Sequence, residues 1–235
     1  MNKPKFYTEL SYILGLSVLS LGVAFMEKAD FGVSMVVAPA YVLYRAISPT
    51  LPFFTFGMAE YCLQAVLLIA LFLLLRRFRL SFLFSFVTAV IYGLLLDLFM
   101  ALIRPLAFDA LWVRILGFVA GMLLRSLGVS LEFHTYIAPS VYELFVKEMS
   151  EHTKIPIHRF KSGYDAVSFL LGIVLSFLFF GFGTFVGVRL GTVVCTLVNG
   201  PTIGAIGRFL DKRFEFCDAL PFRPFFEDVP EQSIQ

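Results

Sequence analysis

Residues 31–50 read FGVSMVVAPAYVLYRAISPT and residues 132–150 read EFHTYIAPSVYELFVKEMS. Both are apolar enough to enter a bilayer, yet each carries an Ala-Pro pair, at 38–39 and 138–139. Pro39 and Pro139 each remove a backbone donor and interrupt a helical ladder. How these stretches lie is decided by their neighbours. A hydrocarbon core of about 30 Å takes roughly 20 helical residues to cross. Stretches of that kind occur near 8–26, 55–75, 82–103, 111–131, 163–182 and 187–208. If either Ala-Pro segment also crossed, the basic residues at 76–79 or at 208–213 would be forced to the face poor in Lys and Arg. The sequence therefore predicts six spans, with both Ala-Pro segments re-entrant. Irregular backbone at membrane depth survives where protein buries it or where it lines a wet cavity. An amphipathic helix lying on the membrane surface is the alternative.

The two odd segments occupy equivalent places in an internal repeat. Ser20-Leu21-Gly22-Val23 matches Ser126-Leu127-Gly128-Val129, and each is followed by a glutamate (Glu27, Glu132) and then by Ala-Pro. Gly57 with Glu60 corresponds to Gly163 with Asp165, and Gly93 through Asp97 is matched to Gly207 through Asp211. Repeat A covers about 8–105 and repeat B about 111–212, leaving 213–235 as a tail. Three spans per copy is an odd number, so the second copy must insert upside down. Inverted repeats with interrupted helices are a recurrent architecture of secondary transporters.

Composition agrees with a single all-α polytopic membrane domain. Of 235 residues, 59% are hydrophobic and 15% charged, against about 45–50% and about 25% in soluble domains. A net charge of +2 gives no reason to expect nucleic acid. Lys3 and Lys5 before an apolar run resemble a signal peptide, but Glu27, Lys28 and Asp30 follow it in place of a cleavage site. The run is read as a retained span. With both termini cytoplasmic, 13 of the 19 basic residues fall inside, as the positive-inside rule requires.

Ionisable groups within spans are expensive and mark candidate sites. Glu60 and Gln64 share one face of the second span. Asp97 lies near the end of the third, Arg125 deep in the fourth, and Asp165 in the first turn of the fifth. Asp165 could equally complement the helix dipole, and Arg125 could snorkel to the interface. Glu132, His134, Tyr136 and Glu143 gather around Pro139, where His134 is a candidate for proton coupling together with Asp165. In the sixth span Asn199-Gly200-Pro201 predicts a helix broken at Pro201, with Asn199 facing the site. Close helix packing with a proline kink is the alternative. Cys62, Cys195 and Cys217 lack metal or redox spacing. No HExxH, phosphate loop or nucleophile triad occurs. Neither a metal, a cofactor nor an enzymatic activity is expected.

Gly191-Thr192-Val193, then Asn199-Gly200-Pro201 and Asp211, resembles the second-half signature of the YczE/YitT-like bacterial membrane proteins. Ala29-Asp30-Phe31-Gly32-Val33-Ser34 is similar to that family's Ala-x-Leu-Gly-Val-Ser segment, with Phe31 in place of Leu. The resemblance covers about residues 10–212, and the charged segment 143–161 departs from it. It implies a multi-pass protein of the bacterial inner membrane and names no substrate.

The expected function is a small-solute secondary transporter or permease, with an unidentified solute among Glu60, Gln64, Asp97, Arg125 and Asn199. The alternatives are an embedded solute-binding subunit served by energising partners and a non-transporting accessory protein. The bilayer is the expected surrounding and a homodimer is an open option.

Overall fold

The computed structural model describes residues 3–76 and 80–223. Its order is β1 (Lys5–Tyr7), α1 (Thr8–Ala29), α2 (Ala38–Ile47), α3 (Phe56–Leu75), α4 (Leu80–Ile103), α5 (Leu111–Glu132), α6 (Val141–Thr153), α7 (Ile157–Phe180), α8 (Leu190–Arg213) and β2 (Glu215–Cys217). Six of the helices are long and apolar enough to cross a membrane. At about 1.5 Å per residue, the 22 residues of α1 extend about 33 Å, a full crossing. The two helices too short to cross are those headed by the Ala-Pro pairs.

The centre of the molecule is the antiparallel crossing of α1 and α5. Ser11 donates to Leu131 O at 2.8 Å near one end, and Arg114 Nε donates to Ala29 O at 2.9 Å near the other. Between them the backbones touch at glycines. A methyl group placed on Gly22 would sit 2.6 Å from Gly121 O, and one on Gly128 would sit 2.7 Å from Gly15 O. In lipid, helices gain little by hiding apolar surface from one another, so small residues and direct backbone approach carry the association. Gly15 and Gly22 stand 106 positions before Gly121 and Gly128, as Ser20 stands before Ser126. This contact therefore maps onto itself under a two-fold operation.

Other contacts follow the same symmetry. α4 packs on α1 as α8 packs on α5, and α2 lies between α3 and α7 as α6 lies between α7 and α3. The two re-entrant helices start deep and run outward. Val141 N–H donates to Gln64 Oε1 at 3.1 Å, and Gln64 is the ninth residue of α3, about 12 Å in from that helix's start. Pro39 falls in the first turn of α2, where its missing donor costs nothing. Pro139 precedes Ser140, which stands at the N-cap position of α6. The two prolines thus begin helices.

β1 and β2 pair in parallel, with Lys5 opposite Glu215 and Tyr7 opposite Cys217. Both ends of the described residues therefore lie on one face, called here the terminal face. Residues 213–223 of the tail dock there: Glu9 accepts from Leu220 N–H at 2.9 Å, and Arg223 Nε donates to Asp218 at 2.7 Å. Residues 224–235 lie outside the described residues.

Two expectations require correction. α8 runs unbroken from Leu190 to Arg213 through Pro201. Proline removes one N–H and frees one carbonyl, a defect a 24-residue helix absorbs. The register of repeat B also differs at its end. Ser20 reaches Tyr92 O and Ser126 reaches Asn199 Oδ1, which sets Tyr92-Gly93 level with Asn199-Gly200. The counterpart of Gly93 is thus Gly200, and Gly207 lies further along α8.

Candidate functional site

The symmetry fails at one seam. α3 and α4 pack along their length, whereas α7 and α8, their counterparts, barely touch. In the closed seam a methyl group on Gly57 would overlap the Gly93 carbonyl oxygen. Around Gly163 and Gly200, the corresponding glycines, no atom lies within 4 Å of such a methyl group. Asp97 supplies part of the reason. Its carboxylate accepts from Gly57 N–H at 2.8 Å and from Thr55 Oγ1 at 2.6 Å, so α4 caps the N-terminus of α3. The position level with Asp97 on α8 is Gly204, which carries nothing to bond with.

The open seam holds two cavities that share Phe169. One, of about 550 Å³, lies toward the face opposite the termini and is walled mostly by apolar groups such as Phe31, Ile173 and Phe185. The other, of about 620 Å³, reaches inward to Arg125, Lys161, Asp165, Thr196 and Asn199. Both volumes are in the range that holds small ligands. A third cavity of about 40 Å³ adjoins the second at Val36, Arg125 and Lys161. It also touches Gln64, Glu132 and Ser140, and its size suits water.

Several buried polar atoms here have no partner among the described residues: Arg125 Nε and Nη1, Asp165 Oδ1 and Glu132 Oε1. Unmet hydrogen-bonding groups in a low-dielectric interior are costly, which makes their concentration informative. Glu60 and Gln64 are fully buried and bond to each other as well as to α6. Tyr142 Oη donates to Glu60 Oε2 at 3.0 Å, and Gln64 Oε1 takes the first free donor of α6. Ser140 donates to Glu143 at the head of the same helix. The N-termini of both re-entrant helices thus face this polar centre, with Val36 and Val37 from the α2 side. Such ends carry partial positive charge.

The residues singled out in the sequence divide into three groups. Arg125, Asp165 and Asn199 line the 620 Å³ cavity, with Glu60 and Gln64 directly behind. Asp97 stands apart as a helix cap. His134 lies at the terminal face, where Nδ1 meets Ser130 O at 2.6 Å, Nε2 meets Asp211 at 3.0 Å and the ring stacks on Phe216. Those contacts fasten the tail, and none of them involves Asp165. Lys161 was missed, although its place four residues before Asp165 puts both on one face of α7.

A second charged cluster also went unread. Arg189 and Arg114 converge on Asp30 at 2.6 and 3.3 Å. Gly191 N–H donates to Phe31 O and Val33 N–H to Gly187 O. Together they pin the start of α8 to the end of α1 on the face opposite the termini. Among the described residues no group of three or more His, Cys, Asp or Glu is placed to hold a metal.

A family model spans residues 6–208, from the first strand to the last turns of α8. The chain belongs to a family of unknown function (DUF6198). That range takes in both repeats, the crossing and every residue of the cavity. No curated protein and no solved structure matches the chain.

Proposed function

We propose that this chain is a small-solute secondary transporter of the bacterial inner membrane, with the terminal face in the cytoplasm. One observation carries the reading: two repeat-related seams stand in different states, and the open one contains a ligand-sized cavity with unpaired charged groups. An inverted repeat can hold a site between such seams and expose it to alternate faces. The orientation is supported by charge. Lys3, Lys5, Arg76, Arg208, Lys212 and Arg213 lie toward the terminal face, the excess expected of a cytoplasmic side. The similarity to the YczE/YitT-like proteins supports the bacterial membrane.

The native thiol of Cys195, buried at the cavity wall, tests this reading without knowing the solute. In a Cys62→Ala/Cys217→Ala background, membrane-impermeant thiol reagents are applied to right-side-out and inverted vesicles. A transporter labels from both faces, because the site visits both. Labelling from one face only, or from neither, would sink the proposal.

A second reading is favoured by the low burial of α7 and α8, 17% in each, which leaves broad outer faces for another subunit. In that case the chain is a solute-binding component and co-purifies with an energising ATPase.

A further inference from the structure

Of the three charged side chains that line the large cavity, Arg125 and Asp165 have opposite signs, face the same space and do not meet. Arg125 brings Nε and Nη1, both buried and without a partner, and Asp165 brings Oδ1 in the same condition. Asn199 bonds to Ser126 Oγ at 2.8 Å through one end of its amide, which leaves the other end for a ligand. Lys161 adds a second positive charge on the rim. Met35, Val36, Phe169, Leu170 and Ile203 supply an apolar wall beside these groups.

A guanidinium is a planar fork of donors that matches the two oxygens of a carboxylate. A lone carboxylate oxygen across the same cavity asks for a donor, best met by an ammonium. Deeper in, Glu132 Oε1 is a further unused acceptor, on a side chain more than nine-tenths buried.

We infer that the solute is a small zwitterion of the amino-acid type with an apolar side chain. Its carboxylate seats on Arg125, its ammonium on Asp165, and its side chain lies against Phe169 and Ile203. This rests on the transporter reading for its biological sense, but binding can be measured without transport.

The test uses the full chain in detergent and three probes that share one branched skeleton. These are leucine, 4-methylpentanoate, which lacks the amine, and 3-methylbutan-1-amine, which lacks the carboxylate. Calorimetry is expected to rank leucine first, the acid about tenfold weaker and the amine weakest, since a hydrogen bond to a charged group corresponds to about tenfold in affinity. Asp165→Asn should bring leucine and the acid to within about threefold of each other. Arg125→Lys keeps the charge and loses the fork, and should weaken both by about tenfold or more. Binding of none of the three, equal binding of all three, or an undiminished leucine preference in Asp165→Asn would each overturn the inference. The ligand series and Asp165→Asn decide the matter even if Arg125→Lys does not fold. Should leucine bind as expected while Cys195 labels from one face only, the solute class stands and the transporter reading falls.

Discussion

At the scale of single residues, the same chemistry does two different jobs in this molecule. Asp97 and Asp165 are both carboxylates near helix ends, but Asp97 is saturated by Thr55 and Gly57 while Asp165 keeps an oxygen unused. Asp97→Ala should therefore lower stability by about 1 kcal/mol, the usual cost of a lost cap, with binding affinity unchanged. Thermal melting in detergent beside calorimetry separates the two effects. A loss of affinity without a loss of stability would return Asp97 to the site. The sequence could show that Asp97 was an intramembrane acid. It could not show that the partner was the start of another helix, 40 residues earlier. Arg125 was legible for the opposite reason: a lone cation deep in an apolar run has few structural uses. Asp218 offers a case outside the membrane. Arg223 holds its carboxyl below the usual carboxylate range. A depressed folded-state pKa adds stability above the unfolded value of about 3.9, and that contribution disappears as pH falls through the lower folded value. The protection factor against hydrogen exchange at residues 215–217, with the intrinsic pH dependence of amide exchange divided out, should fall below about pH 4 and stay constant between pH 6 and 8.

Among the elements, the glycines separate scaffold from opening. Gly22→Ala places a methyl group 2.6 Å from Gly121 O and forces α1 and α5 apart, a loss expected to exceed 2 kcal/mol by analogy with overpacked cores. Gly163→Ala and Gly200→Ala meet nothing within 4 Å and should be neutral, or stabilising by up to about 1 kcal/mol through helix propensity. Melting temperatures of the three variants check the contrast directly. If Gly200→Ala were as damaging as Gly22→Ala, the α7–α8 seam would be closed in the protein as it exists in a membrane. The spans themselves were readable because a helix apolar on all sides has few destinations besides lipid. The Ala-Pro pairs marked the two short segments, but Pro39 and Pro139 read as interruptions in the sequence and stand at helix starts in the structure. Pro201 was over-read for want of that distinction. β1 and β2, three residues each, are too short for any periodic signal, and only their pairing makes them strands.

Across the whole molecule, Phe169 is the single side chain common to the two large cavities. Phe169→Ala should join them into one passage and raise the rate of Cys195 labelling from the face opposite the termini by about tenfold or more. An unchanged rate would place the barrier elsewhere, with the Asp30–Arg189–Arg114 cluster the next place to look. The asymmetry of the two seams was invisible in the sequence, although every glycine that defines it was in view. Two copies of one pattern say which residues correspond. Only coordinates say that one pair touches and the other does not.

The α1–α5 crossing also has a consequence for biogenesis. Gly22 meets Gly121, and Ser11 meets Leu131, about 100 residues downstream. At synthesis rates of about 5–20 residues per second, α1 waits on the order of 5–20 s before its partner leaves the ribosome. Until then Ser11 and the glycine face lack the helix they pack against, while Ser20 meets α4, which precedes α5 in the chain. Assembly of this molecule is therefore committed late, and a nascent chain halted before residue 111 holds the first helix without α5, its main partner, and with α4 to pack against.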